Sequence, residues 1–394
     1  MIKLTTRNGR ANRRPRDRRA QILAAAVERF HQSGYHATSM EDIATAIGIT
    51  AGSLYWHFRS KQELLEQAVL TGLDLVLSAP QDAEGLDAVL RALASCSLEN
   101  RALSALWEKE AGSLSPECRR EVQQRCGKAV APVATAIREA RPDLGSPDAE
   151  LLGWAVLGML ASPSYHQIDL PRPRFDELLC ELADSLCQAR ALSPVVPDTA
   201  AALNLGLPRA SRREALLSAA VRLFAERGFQ AVGMNDIGAA AGVSGPAVYN
   251  HFAAKTDLLT AAIHRASGAL HFDLGQALAQ STSAHEALER TLRTFSVVAL
   301  ASGGYAGLLN AQPHLPPTER EWLHRSQVEY MAEWVGLLRT CRPDLDQAEA
   351  QITVHAVFTL IRVLSRIPPL KRRTDPVQTL VTLGLRTLGL RSRA

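Results

Sequence analysis

Several features that would commit a chain of 394 residues to a particular chemistry are missing or scarce. There is no Gly-x-Ser-x-Gly, no Gly-rich phosphate loop and no His-Glu-x-x-His, so the common hydrolase, nucleotidase and metalloprotease signatures are absent and no enzyme is expected. The six cysteines (Cys96, Cys118, Cys126, Cys180, Cys187 and Cys341) form no Cys-x-x-Cys pair and have no histidine at zinc spacing. They read as small buried hydrophobes in a reducing compartment, and neither a metal nor any other cofactor is expected. The longest uncharged apolar run, Leu151 to Ser162, is too short to span a bilayer, and the basic N-terminus lacks the apolar core of a secretory signal. The expectation is a cytoplasmic protein with no membrane partner. β-Branched residues are sparse, whereas Leu and Ala recur at helical period between Gly and Pro punctuation, so the chain is expected to be all-α.

What is present is a repeat. Tyr-x-His-Phe-x-x-Lys-x-x-Leu-Leu occurs at 55–65 and again at 249–259, and aligning 17–66 with 211–260 without a gap leaves about 20 of 50 positions identical. Farther on, Arg141-Pro142-Asp143-Leu144 returns as Arg342-Pro343-Asp344-Leu345. Self-similarity on this scale is duplication of a whole domain rather than a solenoid period. The expected organisation is a basic disordered arm at 1–19, a first small unit at 20–66, a first helical body at 67–190, a linker at 191–208, a second small unit at 209–260 and a second body at 261–394. The net charge is only +4, but Arg13, Arg14 and Arg16 belong to a block of eight cations against one acid before residue 20, and a polyanion is its natural partner.

Within the first small unit, Ile22, Leu23, Ala26, Val27 and Phe30 stripe a helix that stops at Gly34. Thr38 with Glu41 resembles a capping box opening a short second helix, and Gly48 ends that helix. Thr50 caps a third helix over 51–58, after a turn of about three residues, which is the helix-turn-helix layout of a DNA reader. Ser60 and Glu63 start a fourth. The second unit repeats the plan with weaker caps, Val232 standing for Thr38 and Ala254 for Ser60. Thr38 and Lys61, each a donor at a helix start, suit phosphate clamping, as does Lys255 in the second unit. Trp56 is read either as a plug between helices one and three or as a contact to DNA; Phe58 and Phe252 are read as core.

Gly34, Thr38, Met40, Ile43-Ala44, Gly48-Ile49-Thr50, Leu54-Tyr55-x-His57-Phe58 and Lys61-x-x-Leu64-Leu65 resemble the DNA-binding unit of the TetR family of bacterial repressors, and 212–260 resembles it again. The resemblance implies two tandem halves, each a helix-turn-helix unit plus a helical body for ligand binding and dimerisation. It implies that Thr50, Ala51, Ser53, Tyr55 and His57 face DNA, with Ser244, Gly245, Ala247, Tyr249, Asn250 and His251 as their counterparts. Asn250 in place of Trp56 can pair with adenine, so unequal half-sites are expected if both units read DNA. The family's last two body helices form a four-helix dimer interface, which here allows either a monomeric pseudo-dimer or a homodimer of two-unit chains. Its bodies enclose a small apolar or amphipathic effector, for which Trp107, Trp154, Tyr165 and His166, and Tyr305, Trp334 and His355, are the candidate pocket residues, with Tyr330 beside them. The expected function is a nucleoid-associated transcriptional regulator that binds a double-stranded operator and is relieved by a ligand. The alternative is a scaffold protein whose second unit is vestigial.

Overall fold

The computed structural model describes residues 15–104, 106, 110, 113–190, 192–195, 210–301 and 308–391. Arg13, Arg14, Trp107 and Tyr305 lie outside the described residues, and of Arg16 only the helical backbone is described. Among the described residues there are helices and no strand, only an isolated bridge between Val195 and Arg373. No helix among them is long and apolar enough to cross a membrane.

The first head consists of α1 (Pro15–Ser33), α2 (Met40–Ala46), α3 (Ala51–Tyr55) and α4 (Lys61–Ser78). α1 stops where Gly34 takes φ +81°, and the α2–α3 turn bends through Gly48 at φ +66°, a left-handed conformation that costs glycine least. Ile22, Phe30, Ile43, Leu54, Phe58 and Leu64 meet in its core, so Phe58 is core as expected. Two expected boundaries move. The α2 cap is Ser39, whose hydroxyl accepts from Asp42 N–H while the Asp42 carboxylate accepts from Ser39 N–H at 2.8 Å, a capping box one residue beyond the Thr38/Glu41 reading. Thr38 is instead buried, and its hydroxyl donates to the Gly34 carbonyl at 2.9 Å. α3 ends at Tyr55, with Trp56 as its C-cap, rather than running on to residue 58.

The second head repeats this arrangement with α10 (Arg212–Arg227), α11 (Met234–Ala240), α12 (Gly245–Val248) and α13 (Lys255–Gln280). Its counterpart to Gly48 is Gly242 at φ +69°, and Phe252 is core. Neither head separates from its body at residue 66 or 260. α4 and α13 pass through those positions without a break, so each head is carried on a helix that is also a wall of the body.

The first body contains α5 (Gly85–Glu99), α6 (Arg101–Ser104), α7 (Pro116–Ala140), α8 (Ser146–Leu160) and α9 (Arg174–Cys187). The second contains α14 (Ala284–Leu300), α15 (Pro317–Cys341), α16 (Gln347–Leu364), α17 (Pro368–Lys371) and α18 (Pro376–Thr387). The repeated Arg-Pro-Asp-Leu motif now has a local reason. Arg141 is buried and donates to the Cys187 and Ala189 carbonyls, both at 2.8 Å, closing the C-terminus of α9 while Asp143 holds its other nitrogens. Arg342 is held by Asp344 in the same way and lies so close to Gly389 that a Cβ there would fall 2.0 Å from its Nη1.

α8 and α16 carry apolar residues over most of their surface, and α9 and α18 along one face, because the four pack on one another. α8 lies along α16 and α9 along α18, so residues of both halves form one continuous core. Gly158 allows the closest approach of α8 to α16, since a Cβ there would sit 3.0 Å from the Val363 Cβ. Polar ties cross the same seam. Arg373, 4% exposed, donates to Asp148 at 2.5 Å and to the Ser193 and Pro147 carbonyls at 2.9 Å each. Arg174 donates to Glu349 at 2.6 Å, and the Ser185 hydroxyl to the Arg386 carbonyl at 2.7 Å. The chain leaving α9 is pinned to the second half as well, through Thr374 N–H to the Pro194 carbonyl at 2.9 Å.

Candidate nucleic-acid interface

α3 presents a polar and aromatic edge because only one of its residues, Leu54, is needed for the core. Gly52, Ser53, Tyr55 and Trp56 are exposed, Ala51 and His57 partly so. Thr50 serves as the cap, its hydroxyl accepting from Ser53 N–H at 3.2 Å. Trp56 is not a plug. It is 91% exposed, beside Tyr55 at 48%. An exposed indole at that position had a sequence signal, since a side chain that filled the core would not be replaced by Asn250 in the second copy. Arg19 anchors the base of the edge, donating to the His57 carbonyl at 2.9 Å with its guanidinium 4.3 Å from the Phe58 ring centre.

On α12 only Val248 is buried; Ser244, Tyr249, Asn250 and His251 are exposed, and Gly245 and Ala247 partly so. Tyr249 is 56% exposed, close to its counterpart Tyr55. Arg213 sits over Phe252 at 4.8 Å, as Arg19 does over Phe58. Ser244 makes no side-chain cap bond, and Ala253 takes the place of the exposed Arg59, so this edge is less rigid and less basic.

The expected phosphate clamps point inward. Lys61 Nζ donates to the Tyr35 carbonyl at 2.8 Å and the Thr38 carbonyl at 2.9 Å, over the Tyr35 ring at 4.3 Å. Lys255 makes the same pair of bonds to Phe229 and Val232, both at 2.7 Å, over the Phe229 ring at 4.3 Å. Burial holds the Lys255 pKa below the ordinary lysine value. Each ammonium thus commits two of its three donors to tying the start of the fourth helix to the loop after the first, and the Thr38 hydroxyl is turned inward to the Gly34 carbonyl.

The first head also meets the second half, through His314 in the segment between α14 and α15. His36 of the first lies 5.7 Å from His314, which stacks on Phe229 of the second at 4.8 Å, while Tyr35 stands 5.2 Å behind His36. Ser113 and Gln230 hold the two imidazoles from either side, at 3.2 Å each. Burial first, and then the neighbouring His36, lower the His314 pKa.

The candidate effector residues do not converge. Trp154 lines an apolar crevice in the first body. His166 and His355 instead meet ring to ring at 4.7 Å on the seam, and burial brings their pKa values down to about 3 and about 4. Tyr165 lies under the Arg362 guanidinium at 3.5 Å. Trp334 is wholly buried among Phe295, Tyr330 and Phe358 in the second body. Among the described residues, no cluster of three or more His, Cys, Asp or Glu is placed to hold a metal.

Two four-helix heads with exposed third-helix edges define a helix-turn-helix DNA-binding protein. The family model for bacterial regulatory proteins of the tetR family matches residues 22–68 and again 216–262. The chain therefore carries two tandem TetR-family units, each with its own helical body. Among curated proteins it is 44% identical over 77 residues to the transcriptional activator FasR of Mycolicibacterium smegmatis, covering 19% of this chain and 35% of the relative. It is 40% identical over 86 residues to the transcriptional repressor KstR2 of Rhodococcus jostii, covering 21% of this chain and 42% of that one. The chain thus spans less than half the length of these relatives. Among solved structures, the TetR family regulator PfmR of Thermus thermophilus is 28% identical, with a TM-score of 0.38, covering 42% of this chain and 97% of that one.

Proposed function

We propose that the protein is a transcriptional regulator, a repressor relieved by a small apolar or amphipathic ligand, whose two halves act as an intramolecular pseudo-dimer on an operator with unequal half-sites. The observation that carries this reading is the pair of exposed recognition edges, Tyr55-Trp56 and Tyr249-Asn250, on heads whose bodies share one core. Acting on one operator, such a pair would place its two recognition helices in successive major grooves, which lie roughly 34–36 Å apart. Thr50, Ala51, Ser53, Tyr55 and His57 then read one half-site, and Ser244, Gly245, Ala247, Tyr249, Asn250 and His251 the other. Arg13, Arg14 and Arg16 supply a salt-sensitive term from the arm. The site of action is the cytoplasm, at the nucleoid, and no catalytic step is assigned.

Footprinting on the protein's own upstream region, comparing wild type with Tyr55→Ala and Tyr249→Ala, tests the reading. Each change should erase a different half of the footprint; loss of neither would sink it. Light scattering tests the pseudo-dimer, since a stable species of twice the chain mass excludes a functional monomer. A second reading, that the second unit is a scaffold without a DNA role, has one observation in its favour: Ser244 lacks the cap bond that Thr50 makes. Under that reading Tyr249→Ala leaves the footprint unchanged.

A further inference from the structure

The halves differ most in what fills their bodies. In the first, α4, α5, α7 and α8 leave a narrow, partly open crevice of about 90 Å³. Among the described residues, no Asp, Glu, Lys, Arg or His lines it. Its few polar groups offer little: the Ser97 hydroxyl is already donated to the Leu160 carbonyl, and burial raises the Cys126 pKa to about 12, leaving a neutral thiol. A charged occupant would therefore be desolvated without a partner, whereas a hydrocarbon body would not.

The same positions in the second body are occupied. The bodies align through their repeated motif with an offset of 201 residues in α7/α15 and α8/α16, and 199 in α5/α14. Cys96, Ala129, Val133 and Leu157 thereby correspond to Phe295, Tyr330, Trp334 and Phe358. Two of these positions, Ala129 and Leu157, line the crevice, and all four are rings in the other half. Those rings pack together, Phe295 on Phe358 at 4.6 Å and Trp334 on Phe358 at 5.0 Å. Tyr330 and Phe358 thus put ring volume where the first half has only Ala129 and Leu157 on the crevice wall.

We propose that effector sensing is confined to the first half, whose crevice takes one uncharged, mainly hydrocarbon molecule per chain, while the ring-filled second body takes none. This rests on the regulator reading above and adds which half senses and what chemistry it senses. The walls supply the route to DNA. Val69, Leu73 and Val76 belong to α4, the helix that begins at Lys61 beneath the first recognition edge, and Val363 belongs to α16 of the second half. An occupant presses between these two elements at the Gly158–Val363 contact. It displaces the first head relative to the second, so that a single ligand changes the spacing of both.

The test is a fluorescence and calorimetric titration of the full chain with N-phenyl-1-naphthylamine, an uncharged diarylamine probe of mainly aromatic hydrocarbon surface. One probe per chain is expected. Ala129→Tyr, which copies the second half into the first, should weaken binding at least tenfold, and Leu157→Phe should do the same where the larger change impairs folding. Phe358→Leu should leave the tight stoichiometry at one. Two equivalent probes per chain, or binding insensitive to both Ala129→Tyr and Leu157→Phe, would overturn the proposal. Operator footprinting without probe is scored separately, so loss of DNA binding counts against the regulator reading and misplaced probe binding counts against this one.

Discussion

The two heads share a fold but not the same chemical support. In the first, Ser39, Thr50 and Ser60 each accept a hydrogen bond from the backbone two or three residues into a helix. In the second, Gly233 and Ala254 have no such acceptor, and only the return half of the box survives, Asp236 and Asp257 accepting from their cap N–H groups at 2.7 and 3.0 Å. The inward lysines, by contrast, are the same in both to within 0.2 Å. Caps worth about 1 kcal/mol each can erode in one copy once the shared core carries its stability. A half-buried ammonium bonded to two carbonyls cannot be lost as cheaply, because those carbonyls would lose their partner.

The comparison can be broken at the seam first. His166 and His355 are not symmetry mates; their counterparts at the 201 offset are Ile367 and Trp154. Both imidazoles are neutral in the fold, with Arg101 facing His166 and Arg362 facing His355. Their folded pKa values lie below the ordinary 6.5, so the unfolded chain binds protons more readily and stability falls as pH drops from 6.5 toward about 4 for His355 and about 3 for His166. The slope should approach about 1.4 kcal/mol per pH unit for each imidazole. Urea midpoints at several pH values check this, and His355→Leu should flatten the profile.

Arg373→Met comes next. It strands Asp148 and two carbonyls on the seam, and a cost of about 3 kcal/mol is expected in chemical denaturation. No comparable loss is expected from Arg172→Met, whose side chain at the 201 offset bonds within its own half to Asp176 and Ser95. Lys61→Met and Lys255→Met should each cost about 1–3 kcal/mol of stability. Their operator affinity should keep its salt dependence, whereas a lysine that clamped phosphate would lower the slope by about 1 on removal. The smallest effect separates the heads most directly: Thr50→Ala should cost about 1 kcal/mol and Ser244→Ala close to none, read by thermal denaturation.

The heads were legible in the sequence because their determinants are local. Glycine stops, short capped helices and a 3.6-period stripe lie within 50 residues, and repeating them removed the ambiguity of a single occurrence. The errors are local as well. Ser39 beside Thr38 offered two adjacent caps, and spacing alone could not choose between them; burial of Thr38 against the Gly34 carbonyl decided it. Lys61 resembles a phosphate clamp from its position at a helix start. Only the fold shows the Tyr35 and Thr38 carbonyls converging on it from 26 and 23 residues away.

By itself, then, the sequence determined an all-helical chain with two TetR-type heads, each followed by a helical body, because backbone capping and hydrophobic period act over a few residues. Tertiary structure alone decided that the bodies share one core, that two unrelated histidines meet across it, and that an apolar crevice opens in the first body. These depend on which side chains face each other across helices about 200 residues apart, and no short-range pattern specifies such pairings.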